Sequence, residues 1–143
     1  MQISGARVLI TGAGGGIGAS LAVELARRGA TELVLVDRDS AALEKMGGNG
    51  VKRHVVDVTD GKAVSAFVEK LGGVDLLVNG AGISVPGRFE ALSLESIERT
   101  LDVNLGAAVR LTRLVLPKMP RGACIVNIAS ASGLMAPGGL AAY

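Results

Sequence analysis

A doubly wound α/β architecture, a parallel sheet covered by helices on both faces, is what this chain predicts on three observations. Apolar runs of four to six residues, rich in Val, Ile and Leu, alternate with longer amphipathic stretches. The runs are continuous rather than alternating, as strands buried on both faces are. Their ends carry small or polar residues, the composition found where open parallel sheets receive ligands. The 143 residues are enough for one domain of ordinary size.

Taken in order, the strands are expected at about Arg7–Ile10, Glu32–Val36, Val51–Val56, Asp75–Val78 and Cys124–Ile128. Between them, helices are expected at Gly16–Arg28, Ser40–Met46, Gly61–Leu71 and, as one long element, Leu94–Met119. Their ends are punctuated as helix physics requires: Gly29 follows Arg27 and Arg28, Gly72 and Gly73 follow Lys70 and Leu71, and Pro120 closes the long helix. Within that helix, Asn104 and Gly106 are poor helix formers and predict a kink that points an amide at a cavity, unless the kink is merely tolerated. No repeat, linker or low-complexity segment interrupts the pattern.

Composition narrows the function classes. Hydrophobic residues make up 49% and charged residues 20%, so a core can form and global disorder is excluded. The net charge of +2 is too small and too evenly spread for a phosphate-tracking stripe, and 2% aromatic residues offer few stacking platforms, so no nucleic-acid partner is expected. Two uncharged stretches, Val8–Val23 and Gly122–Tyr143, are too rich in glycine and polar groups to enter lipid, so no membrane segment is expected. The single cysteine, Cys124, excludes an internal disulfide and points to a reducing, cytoplasmic compartment. Neither His54 nor Cys124 has a second ligand at metal spacing; both read as core residues and no metal site is expected.

The first strand runs directly into Thr11-Gly12-Ala13-Gly14-Gly15-Gly16-Ile17-Gly18 and a helix. Glycines here allow a tight turn and close approach of a ligand, and the helix N-terminus with its unpaired N–H groups can receive a pyrophosphate; a purely structural turn is the plain alternative. Gly12, Gly16 and Gly18 form G-x-x-x-G-x-G rather than the commoner G-x-G-x-x-G. Asp37 ends the second strand 19 residues after Gly18, where a carboxylate accepts from both ribose hydroxyls and repels a 2′-phosphate. Asp39 or Ser40 can cap the next helix, which leaves Asp37 free. Asp60 is a plausible cap for the third helix, leaving Asp57 at the strand's carboxyl edge. The fourth strand ends in Asn79-Gly80-Ala81-Gly82, the fifth in Asn127-Ile128-Ala129-Ser130, and Tyr143 follows 13 residues after Ser130.

Together these residues resemble the short-chain dehydrogenases/reductases. Thr11–Gly18 looks like the family's T-G-x-x-x-G-x-G loop, Asp57-Val58 like its adenine-contacting pair and Asn79-Gly80-Ala81-Gly82 like its N-N-A-G motif with Gly in second place. Asn104 matches its helix-breaking catalytic Asn, and Ser130 and Tyr143 have its Ser-to-Tyr spacing. The resemblance implies a Rossmann-like sheet, residues 1–143 as one dinucleotide-binding domain, and hydride transfer at an alcohol or carbonyl carbon of a small substrate. It makes Gly12, Gly14, Gly16, Ile17, Gly18, Asp37, Asp57, Val58, Asn79, Ala81 and Gly82 the cofactor site and Asn104, Ser130 and Tyr143 the catalytic set. Asp37, and a glycine loop without Lys or Arg, favour NAD over NADP, although Arg38 could pair with a 2′-phosphate if Asp37 turned away.

The family continues Tyr-x-x-x-Lys, whereas the present sequence ends at Tyr143. A truncated domain lacking the family's C-terminal strands is therefore expected, one that binds dinucleotide weakly and does not turn over, because the Lys would lower the phenol's pKa. A catalytically incomplete nucleotide-binding or interaction module is the second reading. An open fifth strand and exposure of Leu101, Leu105, Val109 and Leu116 are also expected, and with them self-association into a homo-oligomer.

Overall fold

The structure, a computed structural model, describes residues 1–135 and 137–143. Its strands are β1 (Arg7–Thr11), β2 (Glu32–Asp37), β3 (Val51–Val55), β4 (Leu76–Asn79) and β5 (Cys124–Asn127). They form one five-stranded sheet in the order β3-β2-β1-β4-β5, every neighbouring pair parallel. β1 is central, with Ile10 opposite Leu35 on one side and Val78 on the other.

Because side chains alternate across a pleated strand, the sheet feeds two cores. Val8 and Ile10 of β1, Leu33 and Leu35 of β2, and Leu76 and Val78 of β4 pack with Ala22 and Leu25 of α1 (Gly16–Arg27) and Leu43 of α2 (Ser40–Glu44). Leu9, Val34, Val36 and Leu77 face the other way. They meet Val64, Phe67 and Val68 of α3 (Gly61–Glu69) and Leu111 and Val115 of α5 (Ala107–Val115). Leu9 and Leu77 are fully buried, so the helices covering both faces are what made the β1, β2 and β4 sequences unbroken apolar runs. The edge strand β3 instead exposes Lys52 and Arg53, charges that oppose pairing with another chain.

Several element ends are fixed by long-range contacts. Gly29, at φ +86°, closes α1: its N–H donates to the Ala26 carbonyl and that of Ala30 to Leu25. The Arg53 guanidinium donates to the carbonyls of Glu44 and Met46 behind α2, which stops at Glu44 rather than Met46. Lys118 Nζ does the same for Leu71 behind α3. Asp75 lies outside β4, because its carboxylate makes a two-pronged ion pair with Arg7 and accepts the Arg7 backbone N–H.

The single helix expected over Leu94–Met119 is instead several pieces. A regular helix α4 (Leu94–Leu101) leads into a π-helical turn at Asp102–Gly106, where the Ala107 N–H reaches back five residues to the Asp102 carbonyl. α5 then ends at Val115 and a 3₁₀ turn covers Leu116–Lys118. Pro117 explains that end: it brings no N–H to continue the α-helical hydrogen bonds. A 3₁₀ turn at Phe89–Ala91 and a short helix α6 (Ser132–Met135) complete the chain.

Candidate functional site

The carboxyl ends of β1, β2, β3 and β4 open onto a groove lined by Gly12, Asp37, Arg38, Val56, Asp57, Val58, Ala81, Gly82, Ile83 and Val103. Two points in the glycine loop are closed to a side chain by backbone. Gly12 has φ +68°, and a β-carbon on it would lie 2.6 Å from the Gly80 carbonyl oxygen. A β-carbon on Gly18 would collide with the Gly12 carbonyl, so Gly18 lets α1 lie against the loop. Gly16 differs from both, having nothing within 4 Å of its would-be β-carbon. It faces open space where a ligand can approach the backbone.

Helix α1 also lacks a cap. Asp39, Asp60 and Ser93 accept backbone N–H groups at the starts of α2, α3 and α4, whereas Gly15 before α1 offers no side-chain acceptor. The N–H groups of Gly16, Ile17 and Gly18 therefore have no acceptor among the described residues. Unpaired donors, the positive end of a helix and an open approach over Gly16 fit a diphosphate, so the chain's residues suit a bound dinucleotide.

Asp37 is not free as the sequence suggests. One carboxylate oxygen accepts the Gly14 N–H at 2.9 Å and the other the Asp39 N–H at 3.0 Å. Two carboxylate oxygens offer about four acceptor positions, so two remain for ribose hydroxyls. Gly14, whose N–H is taken by Asp37 and whose would-be β-carbon meets that of Ala42 at 2.7 Å, acts through this bridge. Across the groove, Asp57 accepts the Thr59 hydroxyl at 2.6 Å and the Thr59 N–H at 2.9 Å. Those two bonds, with Arg38 and Arg99 nearby, hold its carboxyl below the usual range.

Thr11, which the sequence reading left within the loop motif without a role of its own, fixes the floor. Its buried hydroxyl accepts the N–H groups of Gly80 at 3.1 Å and Ala81 at 3.3 Å. A β-branched polar residue ending an otherwise apolar strand was the available signal. Asn79 lies outside the groove: it donates to Asn127 Oδ1 at 2.8 Å and to the Thr112 hydroxyl at 3.1 Å, tying β4 to β5 and α5 beside a shallow recess. Ile83 was also missed. Asn104 Oδ1 accepts the Ile83 N–H at 2.8 Å and Asn104 Nδ2 donates to the Ile83 carbonyl at 2.9 Å. The amide expected to point into a cavity thus holds the groove wall. Ser130 accepts the Ser132 N–H at 3.1 Å, and Tyr143 is half-exposed. The segment between them meets the loop after β4 where the Gly87 N–H donates to the Gly139 carbonyl at 2.9 Å. Among the described residues no hydrogen bond joins Asn104, Ser130 and Tyr143 to one another.

The His54 ring packs against Phe67 with centroids 4.9 Å apart, and burial together with Lys52 lowers its pKa. Cys124 is half-buried against the first core. Among the described residues no three His, Cys, Asp or Glu side chains gather as metal ligands, and no helix is long and apolar enough to cross a membrane.

A five-stranded parallel sheet in this order, with a glycine loop leading into an uncapped helix, is a Rossmann-like α/β fold. The short chain dehydrogenase family matches residues 6–143, and the chain belongs to that family. Ketoacyl reductase HetN of Nostoc sp. is 39% identical over 143 residues, covering 92% of this chain and 50% of that protein. L-xylulose reductase of Mesocricetus auratus is 36% identical over 135 residues, covering 91% and 55%. The probable oxidoreductase EphD of Mycobacterium tuberculosis is 38% identical over 149 residues, covering 95% of this chain but 25% of that protein. The crystal structure of 3-ketoacyl-(acyl-carrier-protein) reductase from Brucella melitensis complexed with NADH superposes with a TM-score of 0.91 at 34% identity, over 99% of this chain and 64% of that one. The chain thus spans between a quarter and two thirds of the length of these relatives.

Proposed function

We propose that these residues form the cofactor-binding part of an NAD(P)-dependent oxidoreductase acting on a small alcohol or carbonyl compound. The observation that carries this reading is the uncapped start of α1 beside the open face of Gly16, where three N–H donors await an anion. The N–H groups of Gly16, Ile17 and Gly18 would hold a pyrophosphate, Asp37 would bond the adenosine ribose, and Asp57, Val58, Ala81, Gly82 and Ile83 would take the adenine in the groove. NAD is favoured over NADP because a 2′-phosphate would meet the Asp37 carboxylate, and the reductase from Brucella melitensis, complexed with NADH, supports the same choice. Cys124, a lone thiol, fits a reducing cytoplasm.

A bound nicotinamide supplies the hydride donor or acceptor. The Ser130 hydroxyl donates to the substrate oxygen, and Tyr143 gives it a proton as the phenol in reduction or takes one as the phenolate in oxidation. Asn104 spends one lone pair and one N–H on Ile83, leaving one of each for a water in the proton path. Calorimetric titration with NADH and NADPH, beside an assay of NADH formation on secondary alcohols, tests this. Gly16→Ala should weaken NADH binding at least tenfold while leaving thermal stability unchanged or higher. Unaltered binding, or tighter binding of NADPH, refutes the assignment.

A further inference from the structure

Eight residues along an α-helix are separated by about 12 Å and about 80° around the axis, a poor arrangement for an ion pair. Yet Arg110 Nη1 donates to Asp102 Oδ1 at 2.7 Å. The π turn at Asp102–Gly106 explains how. One residue absorbed by the turn makes positions 102 and 110 behave as seven apart, within about 20° of one face. Gly106 lies between them. A β-carbon there would fall 2.6 Å from Asp102 Oδ1 and 3.0 Å from Arg110 Nη1, so the pair closes only because residue 106 has no side chain. Arg110 Nη2 is buried without an acceptor among the described residues, which leaves Asp102 as the partner that holds this guanidinium.

The turn spanned by this pair carries Asn104, and Asn104 holds Ile83 through both its polar ends. We propose that Asp102, Gly106 and Arg110 are positioning residues: the ion pair fixes the π turn, the turn aims the Asn104 amide, and the amide sets the Ile83 wall of the groove. Gly106 serves to admit the ion pair across the turn. The coupling to Ile83 stands on geometry alone, whereas its effect on the cofactor rests on the function proposed above.

The test is amide hydrogen exchange at Ile83 in the purified protein, with Leu9 and Leu77 in the sheet as internal controls. Asp102→Asn and Arg110→Gln should each speed exchange at Ile83 by about two- to fivefold, the range expected of a partly exposed ion pair, with the control amides unmoved. Gly106→Ala should do the same while melting no lower than the parent, since alanine favours helix. The exchanged pair Asp102→Arg with Arg110→Asp should restore protection. Unchanged exchange at Ile83 in all three single variants overturns the proposal, as does faster exchange spread equally over Ile83, Leu9 and Leu77. NADH titration of the same variants separates the two claims: loss of Ile83 protection without altered NADH affinity leaves the clamp standing and removes its role in the cofactor site.

Discussion

Single atoms decide what the glycine loop can tolerate. Gly12→Ala would strain a backbone at φ +68° and press a methyl group on the Gly80 carbonyl, at a cost of about 2–4 kcal/mol, so denaturant unfolding should show a marked fall in midpoint as well as lost NADH binding. The contrast with Gly16, where the space is open, separates a glycine that the packing requires from one that it does not. Thr11→Val keeps the shape of the buried side chain but orphans the N–H groups of Gly80 and Ala81. A loss of about 1–3 kcal/mol is expected, and Thr11→Ser should recover most of it. Asp37→Ala should narrow the preference for NADH over NADPH by removing the charge that repels a 2′-phosphate. It also releases Gly14 and Asp39, so affinity for both cofactors should fall, whereas Asp37→Asn, which keeps an acceptor oxygen, should lose selectivity with a smaller drop.

Elements were legible where local sequence and tertiary environment agree. β1, β2 and β4 announce themselves because both faces are buried and every residue of the run must be apolar. The Gly29 close of α1 is equally local. The break at Asp102–Gly106 was legible as a kink at Asn104 but not as a π turn, because its form depends on Ile83, 21 positions away, and on an ion pair that exists only after the turn has formed. Asp37 misleads for the same reason, since its second partner, Gly14, lies 23 positions away. The apolar stripe running from α4 through the π turn and α5 to the 3₁₀ turn could be read from sequence, and Leu101, Leu105, Val109 and Leu116 are each more than half exposed. Uncovered area of this kind favours association. Sedimentation velocity should show a concentration-dependent dimer or larger species that Leu105→Glu together with Val109→Glu disperses; a monomer at all concentrations would refute this.

For the molecule as a whole, acid is the condition that probes its carboxylates. Arg27 and Arg28 draw the Glu24 carboxyl down to about 2, and Asp57 and Asp75 are also held below their usual range, by Thr59 and Arg7. A carboxyl whose folded pKa is depressed contributes stability above its unfolded pKa and loses it as pH falls through the folded value. Melting temperature should therefore be flat near neutrality and fall from about pH 4 toward pH 2. Solvent screening keeps the Glu24 share small, and the decline should be shallower in Asp75→Asn than in the parent. The strand order has a further consequence, in time. β1 meets β2 once Asp37 has been made, but its other neighbour, β4, ends at Asn79. At about 5–20 residues per second of synthesis, the central strand waits some seconds with one edge bare, presenting Leu9 and Ile10 beside an unpaired backbone. Those seconds fall before any nucleotide groove exists, so the growing chain is most prone to aggregate while its glycine loop is already made but still lacks the floor that Gly80 and Ala81 will supply.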